Sequence, residues 1–223
     1  MLKYKCLVLD HDDTVVQTEK TIGYPYFRDY IERIRPGQSL SFPEYVRDCN
    51  NMVFADMCRD RWTMTEKEMA EEYQGWKAYS RVNIPDVCQG IGQIIHRQKE
   101  LGGLVCVSSL STREIIERDF LHHFGILPDA IFDYDLPAEK RKPANFALTS
   151  IMDRFCLNPE DLLMIDDMKL GCLMAKSVRV ATAFAGWSKA EFPELAAEMK
   201  RICDFSFDSP ADLEAFLFEE NAL

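Results

Sequence analysis

Five short apolar runs and a shorter sixth candidate recur along this 223-residue sequence, and they constrain the fold more than any other feature. The first four runs end in polar or acidic residues, as buried parallel strands do. The runs occupy residues 5–10, 102–109, 129–135, 161–167 and 178–185, with the sixth candidate at 204–208. From about residue 88 onward, segments with helical spacing of apolar residues separate them. This alternation predicts an α/β fold, a doubly wound parallel sheet with helices on both faces.

Local signals predict where two of these helices begin. Ser111 and Glu114 have the spacing of a capping box, which places a helix start just after the second run. Pro143 stands at the expected first position of the helix after the third run, where a missing N–H is tolerated. We therefore predict helices that begin close to these residues.

Residues 17–83 interrupt the alternation. They contain no strand-like run, but Ser41 and Thr65 are each followed three residues later by a glutamate, the capping-box spacing of a helix start. So much helical sequence is too long for an ordinary crossover between strands. We predict a core of residues 1–16 and 84–223, and a small helical cap of residues 17–83 over the end of the sheet.

Composition limits the partners and the compartment. The formal net charge of −11 argues against nucleic acid and anionic membranes, which attract clustered Lys and Arg. No apolar run approaches a membrane span, and the first residues lack the pattern of a signal peptide. Eight cysteines include no C-x-x-C pair, and Cys6, Cys106 and Cys172 lie in apolar segments, which favours reduced thiols. We expect a cytoplasmic protein.

Polar residues that could take part in catalysis or ligand binding lie where the runs end. Ligands of open α/β sheets bind outside the carboxyl ends of the strands, so these residues should share one crevice. They are Asp10, Asp12 and Thr14 after the first run, Ser108 at the second, Lys142 before the helix after the third, and Asp166 and Asp167 at the fourth. Crowded carboxylates repel one another unless positive charge lies among them. A divalent cation is the expected source of that charge.

Four segments give the chain a resemblance to a known family. In order they are LVLDHDDTV, VCVSS, KRKP and LLMIDD. Together they resemble the four motifs of the haloacid dehalogenase-like (HAD) hydrolases, in the branch with a small helical cap of the C1 type after the first strand. The resemblance covers nearly the whole chain and implies a Rossmann-like core.

The resemblance implies roles for the acids. Asp10 would be the nucleophile that forms an aspartyl-phosphate, and Asp12 the general acid and then the general base. Mg²⁺ would be held by the carboxylates of Asp10 and Asp167 and the backbone carbonyl of Asp12, with Asp166 bound directly or through water. Such hard oxygen ligands suit this ion.

The resemblance also implies phosphate-binding residues. Ser108 would hold the phosphoryl oxygens, and Ser109 is the alternative for this role. Lys142 would place positive charge on the phosphoryl group and on Asp10. Lys140 and Arg141 are alternatives within the same basic cluster, but the family's lysine commonly precedes a proline and a helix, which favours Lys142.

The expected activity is that of a Mg²⁺-dependent phosphatase acting on a small phosphorylated metabolite. A phosphomutase of sugar phosphates shares the same motifs and stays open as an alternative, as does a HAD-like binding module without catalysis. Asp12 argues against a dehalogenase, since family members that displace halide do not keep this second aspartate. A receiver-type signalling switch would have its acid pair at the first strand and no inserted domain. No motif indicates the substrate or the oligomeric state.

Overall fold

The structure, a computed structural model, describes residues 2–218. A parallel sheet forms the centre of the larger of its two units. The strands within these residues are β1 (Cys6–Leu9), β2 (Leu104–Ser108), β3 (Ala130–Phe132), β4 (Leu162–Asp166), β5 (Ala181–Ala185) and β6 (Phe205–Phe207). All neighbouring strands pair in parallel, in the order β3-β2-β1-β4-β5-β6. The predicted α/β fold is confirmed, and each of the six apolar runs contains a strand.

A helical unit, Gln17–Asp86, is inserted after β1 and forms a compact body of its own. Its helices are α1 (Tyr24–Ile34), α2 (Phe42–Asn51), α3 (Phe54–Asp60) and α4 (Glu66–Val82). The Gln17 backbone N–H donates to the Asp86 carbonyl over 2.8 Å, so the insertion starts and ends side by side. Asp86 lies three residues beyond the end at residue 83 that the sequence suggested.

Capping boxes begin two of the inserted helices, as the sequence predicted. Before α2, the Ser41 backbone N–H donates to Glu44 Oε2 over 2.9 Å. Before α4, the Glu68 backbone N–H donates to Thr65 Oγ1 over 3.2 Å. Both pairs satisfy N–H groups that the first helical turn leaves without an intrahelical partner.

Helices cover both faces of the sheet. They are α5 (Ile91–Glu100), α6 (Arg113–Phe124), α7 (Phe146–Phe155), α8 (Lys169–Ser177), α9 (Pro193–Ile202) and α10 (Pro210–Phe218). Alternating side chains of β1 enter two apolar clusters. Leu7 and Leu9 pack in the cluster that includes α5, α6 and α10, while Cys6 and Val8 pack in the cluster with α7 and α8. Burial on both faces explains why the strand is an unbroken apolar run.

Helices α6 and α7 begin close to the predicted residues, but the residues at their starts differ from the prediction. Helix α6 begins at Arg113 after Thr112, not with a capping box at Ser111, because the Ser111 hydroxyl donates to the Asp12 carboxylate over 2.6 Å instead. Pro143 precedes α7 rather than opening it. It lies in a turn after a cis peptide bond, closed by the hydrogen bond from Ala144 N–H to the Arg141 carbonyl, 2.7 Å long.

Two further features bear on the setting of the protein. None of the eight cysteines, all of which lie within the described residues, forms a disulfide, as expected from the sequence. Among residues 2–218, the helices lack the combination of length and apolar character that crossing a membrane requires.

Candidate active site

Three buried aspartates meet where two neighbouring strands end. Asp10 directly follows β1, and its backbone N–H donates to the Ile165 carbonyl of β4 over 2.9 Å. Asp166 ends β4 and Asp167 follows it. Carboxylate oxygens of Asp10, Asp166 and Asp167 lie within 4.8 Å of one another. The parallel pairing of β1 with β4 therefore builds a group of acids that could hold a metal ion.

Lys142 joins this group from the segment before α7. Its Nζ lies 2.7 Å from Asp10 Oδ1 and 2.6 Å from Asp166 Oδ2. The side chain is buried together with both carboxylates. An ammonium removed from water is tolerated when it is paired and hydrogen-bonded in this way. Lys142 thus bridges the ends of β1 and β4.

The other basic residues of the same cluster have different neighbours. Lys140 Nζ lies over the Phe146 ring, 4.6 Å from its centroid. The Arg141 guanidinium stacks over Tyr134 at 4.0 Å and donates to a backbone carbonyl. Among these three, the described contacts with the aspartates belong to Lys142.

The electrostatics of the group are dominated by burial and by repulsion between acids. Burial raises the pKa of Asp10 well above its ordinary value; Lys142 opposes this rise, and Asp166 and Asp167 add to it. Burial likewise raises the pKa of Asp166 against the effect of Lys142. Burial also acts to lower the pKa of Lys142, but Asp10 and Asp166 outweigh it and raise that pKa. Lys142 is therefore protonated, yet its single positive charge does not offset the effects that raise the pKa of Asp10 and Asp166.

The donor set fits a magnesium ion. Asp10, Asp166 and Asp167 offer only carboxylate oxygens, and Mg²⁺ prefers hard oxygen ligands, one or two carboxylates among them. Burial and then repulsion from neighbouring acids raise the pKa of Asp10, and a divalent charge would oppose both effects. The chemistry of these side chains therefore matches the ion that the sequence predicted.

Helix α8 closes tightly over Asp166. A Cβ at Gly171 would overlap Asp166 Oδ2, so this position has no room for a side chain. Asp166 Oδ1 accepts the backbone N–H of Met168 over 2.8 Å. The first turn of α8 and Lys142 together fix the orientation of this carboxylate.

Serine hydroxyls after β2 surround Asp12. Ser111 Oγ donates to Asp12 Oδ2 over 2.6 Å, and Ser109 Oγ lies 3.4 Å from the same oxygen. Ser108 differs, because its hydroxyl lies 4.0 Å from Met174 Sδ. Side chains alternate between sheet faces, so Ser108, the last residue of β2, faces the cluster of α7 and α8. The structure brings Ser109 and Ser111, rather than the Ser108 hydroxyl, to Asp12.

His11 is one residue whose contacts sequence reasoning missed. It is fully buried between the two motif aspartates, and its Nε2 lies 3.0 Å from Asp119 Oδ2 of α6. Arg118 Nε donates to Asp119 Oδ1 over 2.7 Å. These contacts anchor the loop after β1 to α6. The available signal was Asp119 itself, a charged residue on the apolar face that contains Phe120.

Lys189 is a second missed residue. It follows β5 and a short 3₁₀ turn, and it contacts both Asp13 and Asp167. Thr14 adds a hydroxyl 3.5 Å from Asp167 Oδ1. The signal in the sequence was a lysine soon after the fifth apolar run, at the same edge of the sheet as the motif aspartates.

Solved structures share this fold at low sequence identity. A putative haloacid dehalogenase-like hydrolase from Bacteroides fragilis is 17% identical, with a TM-score of 0.78 over 95% of this chain and 100% of that chain. A putative phosphoglycolate phosphatase from Lactobacillus plantarum is 16% identical, with a TM-score of 0.76 over 95% and 98%. CbbY from Rhodobacter sphaeroides, as a mutant in complex with xylulose-(1,5)bisphosphate, is 17% identical, with a TM-score of 0.74 over 94% and 96%.

Sequence comparison gives the family. No curated protein sequence matches the chain. A family model described as haloacid dehalogenase-like hydrolase matches residues 7–185, which include the motif aspartates, the serines after β2 and Lys142. The chain therefore belongs to the haloacid dehalogenase-like hydrolase family.

Proposed function

We propose that the protein is a Mg²⁺-dependent phosphatase that hydrolyses a small phosphorylated metabolite through an aspartyl-phosphate on Asp10. One observation carries this proposal: Lys142 Nζ lies 2.7 Å from Asp10 and 2.6 Å from Asp166, within the same group of acids that includes Asp167. A carboxylate nucleophile, an ammonium and a set of oxygen donors are the parts that phosphoryl transfer requires.

In the first step, an Asp10 oxygen attacks phosphorus and the bond from phosphorus to the leaving oxygen breaks. Asp12 gives its proton to that leaving oxygen, so the product departs as a neutral alcohol. Lys142 favours the ionised form of Asp10, against the effect of burial, and would stabilise negative charge on the phosphoryl group. The Ser109 hydroxyl, only 3.4 Å from Asp12 Oδ2, turns to donate to the phosphoryl oxygens, while the Ser111 hydroxyl keeps its 2.6 Å hydrogen bond to Asp12.

In the second step, water attacks the phosphorus of the aspartyl-phosphate. Asp12, now ionised, accepts a proton from this water as the bond between phosphorus and Asp10 breaks. Inorganic phosphate leaves and both carboxyl groups return to their starting states. One residue thus serves as acid and then as base, and the difficult displacement becomes two easier ones.

Asp10, Asp166 and Asp167, with the backbone carbonyl of Asp12, would hold Mg²⁺. When bound, the ion neutralises these acids and screens the repulsion between an anionic nucleophile and an anionic phosphoryl group. Positive charge is needed beside Asp10 itself, because burial and the neighbouring acids raise its pKa in spite of Lys142.

Two similar structures support a small phosphorylated substrate. One is described as a putative phosphoglycolate phosphatase, and the CbbY structure contains xylulose-(1,5)bisphosphate. We assign substrate selection to the helical unit Gln17–Asp86, acting as the C1-type cap that the family resemblance implies. The absence of disulfides among the eight cysteines favours a reducing compartment such as the cytoplasm.

Removal of divalent cations is expected to abolish phosphatase activity. The purified protein should hydrolyse p-nitrophenyl phosphate with added Mg²⁺ and lose at least about 10²-fold of its rate in excess EDTA, because the acids would be left without their counter-charge. Added Mg²⁺ should restore the rate, and Ca²⁺ serves as the control for a larger ion. Full activity in EDTA would refute the Mg²⁺ requirement. Stoichiometric release of phosphate from natural substrates would distinguish hydrolysis from mutase activity.

Ser109→Ala is expected to reduce kcat/KM about 10²-fold, the loss typical of one hydrogen-bond donor to a reacting anion. Ser108→Ala is the matched control and should stay within about threefold of wild type, since the Ser108 hydroxyl lies against Met174 and its loss removes no donor to the anion. Steady-state kinetics and inhibition by inorganic phosphate measure both variants. A larger loss in Ser108→Ala than in Ser109→Ala would return the phosphate-binding role to Ser108.

A further inference from the structure

Lys189 is a buried cation outside the four motifs. Its side chain is only 1% exposed, although lysine almost never leaves water without an anionic partner. It lies just beyond the carboxyl end of β5, where its backbone N–H donates to the Gly186 carbonyl over 3.0 Å. The fold therefore spends a costly buried charge at the edge of the sheet that carries the candidate site.

Two acids from different segments converge on this ammonium. Lys189 Nζ lies 3.3 Å from Asp13 Oδ2 and also contacts Asp167 Oδ2. Asp13 adopts a left-handed backbone conformation with φ of 56°, held by its N–H donating to the Val16 carbonyl over 2.7 Å. The turn after β1 thus presents Asp13 to Lys189, which also contacts Asp167. The motif lysine, Lys142, contacts Asp10 and Asp166 instead.

The thiol of Cys88 is a further titratable group close to this pair. Burial, with Asp13 adding to its effect, raises the pKa of Cys88 to about 12. The thiol therefore stays neutral near pH 7 and contributes no charge. Asp13 and Asp167 are the anions that Lys189 balances.

The charges of the whole group divide between two ammoniums. Lys142 contacts Asp10 and Asp166, whereas Lys189 contacts Asp13 and Asp167. Asp167 is consequently shared between Lys189 and any ion held by the three motif acids. A unit positive charge within several ångströms of a divalent ion disfavours binding of that ion about tenfold or more, even at an effective dielectric constant close to that of water.

We propose that Lys189, paired with Asp13, is a resident counter-ion of the site that holds Asp167 in place without metal and thereby weakens the binding of the divalent cation. The inference rests on the proposed function, because it concerns the same ion. It makes Lys189 a positioning residue that acts through Asp167. The consequence is a site that stays folded without metal and exchanges its ion readily.

The test compares Lys189→Met with wild type in two measurements that need no catalysis. Calorimetric titration of the metal-free protein with Mg²⁺ should give a dissociation constant that is lower by a factor of at least about ten in Lys189→Met than in wild type. Its thermal midpoint in EDTA should fall below that of wild type, and Mg²⁺ should raise that midpoint by more. Lys189→Arg, which keeps the charge, should restore weak binding. Lys200→Met removes an exposed lysine of α9 and should match wild type.

A second variant keeps the test decisive if Lys189→Met fails to fold. Asp13→Asn suits the left-handed backbone, which asparagine tolerates, and leaves Lys189 with a stronger hold on Asp167. Its Mg²⁺ dissociation constant should rise. An unchanged or higher constant in Lys189→Met, or an unchanged one in Asp13→Asn, would overturn the inference while leaving the proposed function in place. A wild-type protein that binds no Mg²⁺ would overturn both.

Discussion

Asp10→Asn is expected to lower phosphatase turnover by at least about 10⁴-fold, because an amide oxygen cannot form the aspartyl-phosphate on which both steps depend. The measurement is phosphate release from p-nitrophenyl phosphate at saturating Mg²⁺. Radiolabelled or intact-mass detection of the phosphorylated enzyme should give signal in wild type and none in the variant. Activity within about tenfold of wild type would refute Asp10 as the nucleophile.

The fold of this variant should survive. Burial and neighbouring acids raise the pKa of Asp10, so a neutral side chain of the same shape relieves repulsion even as it weakens one contact of Lys142. Lys142 keeps its 2.6 Å contact with Asp166. We expect a thermal midpoint within about 5 °C of wild type. Asp153→Asn makes the same chemical change on the exposed side of α7 and controls for it. A variant that is inactive because it unfolds would leave Asp10 without support as nucleophile.

The sheet could be predicted from the sequence because its signals are local. Each strand is an apolar run that is buried on both faces, and β1 shows why: Cys6 and Val8 enter one cluster while Leu7 and Leu9 enter the other. The parallel order then brings the strand ends to one edge. Asp10 and Asp166 could be expected to meet there without coordinates.

Predictions from short sequence patterns failed where a side chain contacts a residue of the candidate site instead of its neighbours in sequence. Ser111 has capping-box spacing with Glu114, but its hydroxyl donates to Asp12 over 2.6 Å, and Thr112 precedes the helix, which begins at Arg113. Ser108 ends β2 with its hydroxyl against Met174, whereas Ser109, just after the strand, has its hydroxyl near Asp12, and neither position is written in the local sequence. Tertiary contacts decided both cases, and no pattern within a short window records them.

Lys189 and His11 show a different limit. Each depends on a partner far away in sequence, Asp167 for Lys189 and Asp119 for His11. A single sequence gives no distance between such positions. The sequence does show that Asp119 is a charged residue on the apolar face of α6, and the buried contact with His11 explains it.

Asp12 offers the sharpest separation of the two chemical steps. Asparagine keeps an oxygen that can accept the Ser111 hydroxyl, now donating to Asp12 Oδ2 over 2.6 Å, so the side chain should hold its place. It can neither donate a proton as a carboxylic acid nor accept one from water. The first loss matters only when the leaving oxygen is basic, whereas the second affects every substrate. The variant should therefore respond differently to aryl and alkyl phosphates.

With p-nitrophenyl phosphate, Asp12→Asn is expected to release nitrophenol in a burst that approaches one equivalent per site and then to turn over slowly, because the stable phenolate leaves without an acid and the aspartyl-phosphate accumulates. With an alkyl phosphate the burst should vanish, because the first step itself slows by about 10²- to 10⁴-fold. Stopped-flow absorbance and quenched phosphate assays measure the two cases, with Asp153→Asn as the control. Equal losses for both substrates without a burst would refute the general-acid role of Asp12, and the proton of the leaving oxygen would need another donor.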